Sequence, residues 1–306
     1  MTSPAKPRGL AIVGAGALGR ALAGAVRAEG RRVLIGSAKG LEGTVPMREA
    51  CAESRLVVLA VPPEWARDAL SKLAPHLDGS HLVLHTARGL DPGTRRRITD
   101  VVREETAAIR VGVLAGPLRA RELARGEPTA AVVGSRFPDL IEEAKQQLGG
   151  ARLRVYGNPD AVGVELAAAL GLTLRLVEGL ATGLGFGPAT RAVALTRGLA
   201  ELARLGARLG GKERTFMGLA GVGTLLSDAA GPIDEDVAFG ETVGRGEPRL
   251  RGAEPPSALA ARAAAALATE SATRAPLLQS LRALLDGQLQ PADLQRALME
   301  RAFADE

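Results

Sequence analysis

The feature that most restricts the fold is a succession of short aliphatic runs, each followed by a segment of helical period, filling the chain from residue 9 to about 158. The runs are LAIVG (10–14), RVLIG (32–36), LVVLAVP (56–62), HLVLHT (81–86), RVGVLAG (110–116), TAAVVG (129–134) and RLRVYG (152–157). Apolar runs of this length suit strands buried on both faces, and intervening helices let successive strands lie parallel in one sheet. The periodicity predicts those helices at 17–29, 64–75, 93–107, 119–125 and 137–148. After Asn158-Pro159-Asp160 no further strand is predicted. Apolar and amphipathic helices follow one another instead, with an exposed loop expected at GRGEPRLRGAEPPS (244–257) and two or three Ala/Leu helices over 258–303. The expected architecture is α/β: an N-terminal Rossmann-like, doubly wound parallel sheet over 1–158, then a C-terminal all-helical domain over 159–306 that binds substrate or dimerises.

Composition narrows the function classes. The chain is long enough for two domains that each bury a core. Seven aromatic residues in 306 leave few to stack on bases, and the 39 basic and 34 acidic residues are interspersed, so a nucleic-acid partner is not expected. Cys51 is the only cysteine, which rules out an intrachain disulfide and fits a reducing compartment. No apolar segment has the length of a membrane span, and MTSPAKPRGLAIVGAG lacks the apolar core of a signal peptide, so a cytoplasmic protein is expected. His76, His81 and His85 lie near no cluster of carboxylates or cysteines, and no metal site is expected.

The first strand runs into Gly14-Ala15-Gly16-Ala17-Leu18-Gly19, with a helix starting there and a second strand closing the unit. This is the context of a dinucleotide turn. Gly14 permits the tight turn, Gly16 lets backbone amides approach a pyrophosphate, and Gly19 lets helix and strand pack closely. The helix N-terminus adds unpaired N–H groups and a positive dipole end. An acid at the end of the second strand would hold a ribose 2′-hydroxyl. Ser37 and Lys39 stand there instead, which is compatible with a 2′-phosphate and favours NADP over NAD. The alternative is a structural glycine turn that binds no cofactor.

GLGFGPATRAVALTRGLAELARLGARLGG (183–211), TFMGLAGVGTLLS (215–227), LAGP (114–117) and RVYGNPDAVGVEL (154–166) together resemble the bacterial NAD(P)-dependent glycerol-3-phosphate dehydrogenase family. The resemblance implies reduction of dihydroxyacetone phosphate with NAD(P)H, and a helical domain like that of 6-phosphogluconate dehydrogenases. With the glycine turn, Ser37, Lys39 and Pro62 taken as cofactor-binding candidates, it also implies cofactor contacts from Arg88, Gly116 and Ala120 and substrate contacts from Arg121 and Arg191. Arg88 stands at a family lysine. Because 34 of the 39 basic residues are arginine, compositional bias explains that exchange as well as selection does. For Arg191, an ion pair with Glu165 or Glu201 is the structural alternative.

Several family positions are changed. The register set by Glu165 and Gly187 puts Gly171 at the proton-transferring lysine and Leu172 at its asparagine neighbour. Thr224 stands at the active-site aspartate, Asp234-Glu235-Asp236 at a Ser-Arg-Asn that contacts ligand, and Pro255-Pro256-Ser257 at a segment that closes over the cofactor. Ketone reduction needs a proton donor beside the carbonyl oxygen, and neither Gly nor Leu offers one. A degenerate NAD(P)-binding paralogue acting as sensor, regulator or scaffold is therefore expected, with a nucleotide ligand, a potential protein partner and a monomeric or homodimeric state. The alternative is an active oxidoreductase with a remodelled site that takes a small, phosphorylated carbonyl substrate, with Arg88 or His85 near the reacting carbonyl.

Overall fold

A computed structural model describes residues 9–231, 233–247 and 254–294. The chain divides into two compact units, Met1–Glu165 and Leu166–Glu306. The expected boundary at 158 falls earlier because the start of the connecting helix belongs to the first unit. There Val164 packs so tightly on Gly134 that a Cβ on the glycine would lie 2.7 Å from the Val164 Cβ.

The first unit holds seven strands: β1 (Leu10–Val13), β2 (Val33–Gly36), β3 (Leu56–Leu59), β4 (Leu82–His85), β5 (Arg110–Ala115), β6 (Thr129–Gly134) and β7 (Leu153–Asn158). They form one sheet in the order β2-β1-β3-β4-β5-β6-β7. The Rossmann-like sheet is as expected, with one difference. β6 runs antiparallel to β5, pairing Val113 with Gly134 and Ala115 with Val132, and β7 is parallel to β6. The helices are α1 (Ala17–Ala28), α2 (Met47–Ala52), α3 (Ala66–Leu73), α4 (Ile98–Glu105), α5 (Ala120–Ala124) and α6 (Pro138–Leu148). Alternation along each strand sends side chains to opposite faces. Leu10, Ile12, Leu56, Val58, Leu82 and Leu84 meet α1, α5 and α6 through Leu22, Val26, Leu123 and Leu140. Ala11, Val13, Val57, Leu59, Val83 and Val111 meet α2, α3 and α4 through Cys51, Leu70, Ile98 and Val101. Burial of both faces explains why the strands read as continuous apolar runs.

Helix α7 (Ala161–Leu170) leads from the first unit into the second, which continues with α8 (Thr173–Gly183), α9 (Pro188–Arg208), α10 (Glu213–Phe216), a π-type turn at Leu219–Gly223, α11 (Thr224–Ala229), α12 (Glu235–Gly244), α13 (Pro256–Glu270) and α14 (Pro276–Leu285). Pro256 and Ser257, expected in a loop, open α13, while the middle of that expected loop lies outside the described residues, as does the end of the 258–303 segment. Helices α8 and α12 pack backbone to backbone through glycines spaced four apart. A Cβ on Gly179 or Gly183 would lie 2.1 or 2.3 Å from a carbonyl of α12, and one on Gly240 or Gly244 would lie 2.7 or 2.5 Å from a carbonyl of α8. Most of the apolar stretch 166–181 is therefore buried in the second unit, and contact with α12 leaves no room for a side chain at Gly179 or Gly183.

Candidate functional site

In the sheet order, the chain leaves β1 toward β2 on one side and returns to β3 on the other, the topology that opens a crevice at the carboxyl ends of the strands. The turn Gly14–Gly19, Ser37, Pro62, Arg88 and Gly116 all follow carboxyl ends of β1 to β5.

The glycines divide the roles expected of them. Gly14 has φ +116° and its N–H donates to Gly36 O at 3.1 Å; a Cβ there would strike Ala60 O at 2.3 Å. Gly19 could not carry a side chain either, because its Cβ would lie 2.0 Å from Gly14 O. Gly16 differs. Its φ of −72° suits any residue and a Cβ would meet nothing within 4 Å, so no contact inside the protein requires glycine there. It is exposed and precedes a helix with no side-chain cap and no acid in its first turn. The first backbone bond of α1 runs from Arg20 N to Gly16 O at 3.0 Å, leaving earlier amides open to an anion. A pyrophosphate fits these residues.

Ser37 and Lys39 begin the loop after β2, where Lys39 N donates to Ser37 Oγ at 3.1 Å. Pro62 and Lys39 are exposed; Ala15, Leu18, Ser37, Arg88 and Ala120 are half-buried, and Gly116 is buried. Gly116 has φ +128°, a conformation suited to glycine. Arg121 is exposed on α5 and lines a cavity of about 400 Å³ between α1 and α5, together with Arg20 and Arg152. Neither of these last two was expected. Arg20 could have been noticed from its place beside the third glycine, whereas Arg152 carries no sequence signal.

His85 ends β4 fully buried, so no ring atom is open to a ligand in this conformation. Its Nε2 lies 3.1 Å from Thr99 Oγ1 and 3.2 Å from Glu165 Oε1, while its Nδ1 has no hydrogen-bond partner. Glu165 Oε1 also accepts from Thr99 N at 2.9 Å, and Arg97 Nη1 stands 3.8 Å from Oε2. Burial pushes the Glu165 carboxyl upward, but His85, Arg97 and the Thr99 N–H outweigh it and hold its pKa below the ordinary value of 4.5. His85 is thereby a partner in a buried polar cluster.

In the second unit, Gly171 and Thr224 line one cavity of about 10 Å³, barely the room of a water molecule, together with Arg175 and Asp228. A Cβ on Gly171 would meet Ala167 O at 2.4 Å, and Thr224 Oγ1 donates to Leu219 O at 2.9 Å. Leu172 is buried. Arg175, nearly buried, donates through Nη1 to Glu178 Oε2 at 2.7 Å and Asp228 O at 2.8 Å, and its Nη2 lies 2.9 Å from Asp234 Oδ2. Burial raises the pKa of Glu178 against the opposing pull of Arg175.

Two of the three acids at 234–236 are engaged within the unit. Asp234 caps α12 by accepting from Val237 N at 3.2 Å, Asp236 accepts from Ser257 N at 2.8 Å at the start of α13, and Glu235 is exposed. Arg191 pairs with neither acid considered for it. It donates to Thr182 Oγ1 at 3.3 Å, while Glu201 accepts from Leu277 N and Leu278 N at the start of α14.

The C-terminal family model described as NAD-dependent glycerol-3-phosphate dehydrogenase matches residues 160–296, and the N-terminal one matches 35–140. A glycerol-3-phosphate dehydrogenase, NAD(P)+, of Rhizobium etli is 31% identical over 97% of this chain and 99% of its own length. The chain belongs to the NAD-dependent glycerol-3-phosphate dehydrogenase family. A Desulfitobacterium hafniense enzyme of the same name is 39% identical over 64% of this chain and 56% of its own length. The crystal structure of glycerol-3-phosphate dehydrogenase from Coxiella burnetii superposes with a TM-score of 0.85 at 27% identity, covering 96% of this chain and 99% of that one. The glycine turn precedes the N-terminal match, so its assignment rests on its own geometry. Among the described residues, no helix is long and apolar enough to cross a membrane.

Proposed function

We propose that this chain binds NAD(P)H on its first unit and has lost the lysine-based reduction of dihydroxyacetone phosphate, acting as a nucleotide-responsive sensor, regulator or scaffold. The observation that carries the loss is the cavity shared by Gly171 and Thr224. At the two positions where the family resemblance expects a lysine and an aspartate there is no amine and no carboxylate, and the Thr224 hydroxyl is spent on Leu219 O. Arg175 is the nearest strong donor lining that space. It is held by Glu178, Asp234 and Asp228 O, and a guanidinium does not give up its proton near neutral pH.

For binding, the α1 N-terminus and Gly16 would receive the pyrophosphate, and Ser37 and Lys39 the adenosine ribose. A bound nicotinamide supplies a hydride. General acid catalysis contributes roughly 10²–10⁴-fold, so a pocket without a placed acid would be slow even with the hydride in reach.

The relatives' names favour a second reading, an active NAD(P)H-dependent oxidoreductase with a remodelled pocket and a small phosphorylated carbonyl substrate. Arg88 would then orient the substrate, and His85 would have to leave its buried contacts with Glu165 and Thr99 to act as an acid. Titration of the purified chain with NADPH and NADH, followed by addition of dihydroxyacetone phosphate, separates the readings. Binding without oxidation supports the first. Sustained oxidation that Arg88→Ala abolishes supports the second, and no binding at millimolar nucleotide overturns both.

A further inference from the structure

We propose that Arg20 selects the cofactor, fixing the loop after β2 so that the crevice takes a 2′-phosphorylated dinucleotide in preference to an unphosphorylated one. The inference rests on the dinucleotide-binding reading above and adds to it a specificity residue on a helix, outside the strand end where the sequence placed that choice.

Arg20 lies one turn into α1, directly after Gly19. Its Nε donates to Ala15 O at 3.0 Å and its Nη2 to Glu42 O at 3.1 Å. One guanidinium therefore ties the phosphate turn to the loop after β2. That loop is built, not slack. Ser37 N donates to Val45 O at 3.1 Å, Val45 N to Ile35 O at 2.9 Å and Thr44 N to Leu41 O at 3.1 Å, while Gly40 and Gly43 take positive φ. With Arg20 as strut, Ser37 and Lys39 keep one position relative to the glycine turn.

The charge of the assembly states the preference. A ribose 2′-hydroxyl is held by a carboxylate acceptor, and Ser37–Gly40 offers none. A 2′-phosphate, carrying about −1.5 to −2 at neutral pH, needs donors and cations instead. Lys39 supplies an exposed ammonium, Ser37 a hydroxyl, and Arg20 is exposed with N–H groups beyond the two already engaged. Glu42 is the one acid of residues 37–45; its backbone carbonyl anchors Arg20, and its side chain forms no ion pair among the described residues. A guanidinium also matches phosphate oxygens in a fork that an ammonium cannot reproduce.

The test measures dissociation constants of NADPH, NADH, 2′-AMP and 5′-AMP for the full chain and for Arg20→Leu, Arg20→Lys and Lys39→Ala. The natural chain is expected to bind NADPH about tenfold or more tighter than NADH, as charge-assisted phosphate contacts permit, with 2′-AMP favoured over 5′-AMP. Arg20→Leu should weaken NADPH and 2′-AMP by about tenfold while changing NADH less than about threefold, and Arg20→Lys should fall between. Equal weakening of both dinucleotides by Arg20→Leu would overturn the proposal, since that is what a general strut of the turn would do. So would NADH binding as tight as NADPH in the natural chain, which leaves dinucleotide binding itself intact. If neither dinucleotide binds, the underlying reading fails and this one fails with it.

Discussion

Gly16 and Gly19 lie in the same turn, yet alanine at each should fail in a different way. At Gly19 the new Cβ would sit 2.0 Å from Gly14 O and 3.4 Å from Ile12 Cγ2. Carbon and carbonyl oxygen normally come no closer than about 3.3 Å, so helix and turn must separate by roughly 1 Å. Overpacking of this kind costs about 1–3 kcal/mol, and at about 2–4 °C per kcal/mol for a unit of this size the melting temperature should fall by several degrees. At Gly16 the Cβ meets nothing within 4 Å and the backbone is already extended. Only the exchange of glycine for alanine at a helix N-cap remains, worth about 1 kcal/mol or less. Yet the methyl group enters the space where a pyrophosphate would approach the amides, so Gly16→Ala should weaken dinucleotide binding about tenfold or more, which is about 1.4 kcal/mol or more. Thermal unfolding by circular dichroism and titration with NADPH read the two effects separately. If Gly16→Ala binds nucleotide like the natural chain, or if it melts as early as Gly19→Ala, the division of roles is wrong.

Other perturbations follow from the same geometry. Removing the buried Glu165 leaves the Thr99 N–H without its acceptor and His85 without its carboxylate partner, so Glu165→Ala should cost about 3–5 kcal/mol in denaturant unfolding and Glu165→Gln clearly less. The folded-state pKa of Glu165 is lowered, so its stabilising contribution is fully present above about pH 4.5 and is lost as pH falls through the lower folded value. Glu165→Gln should therefore flatten the acid limb of a stability-versus-pH profile; an unchanged limb would contradict this. Gly171→Lys should restore no reduction of dihydroxyacetone phosphate, because its Cβ meets Ala167 O at 2.4 Å and the shared cavity of about 10 Å³ has no room for an amine. Substantial activity in that variant would show that the pocket opens far more than this conformation suggests. Gly179→Ala forces the new Cβ to within 2.1 Å of Val237 O and should destabilise the second unit by about 1–3 kcal/mol, measured as an earlier denaturant midpoint.

The strands were legible because burial on both faces leaves an unbroken apolar run, and the glycine turn because its spacing is set by backbone geometry. Strand direction was not. TAAVVG has the composition of its neighbours, and only its pairing with β5 shows that it runs the other way. Helix α2 escaped because Met47–Ala52 is too short to show a period. In the second unit the acidic triplet reads as hostile to a phosphate, but its partners are distant in sequence: Arg175 for Asp234 and the Ser257 amide for Asp236. An acid that the sequence sets against a phosphate can thus be engaged inside the unit, as Asp234 and Asp236 are. The same holds for His85, whose place at a strand end suggested chemistry until Glu165 and Thr99 were found beside it.

A single-turnover experiment decides whether bound NADPH reduces dihydroxyacetone phosphate on this chain. The full chain is first saturated with NADPH, with binding confirmed by nicotinamide fluorescence, and then mixed with excess dihydroxyacetone phosphate while absorbance of the reduced nicotinamide is followed. Bound NADPH should be lost no faster than in the blank without dihydroxyacetone phosphate. Rapid, complete oxidation with formation of glycerol 3-phosphate would contradict it and would mean that groups other than a side chain at position 171 deliver the proton.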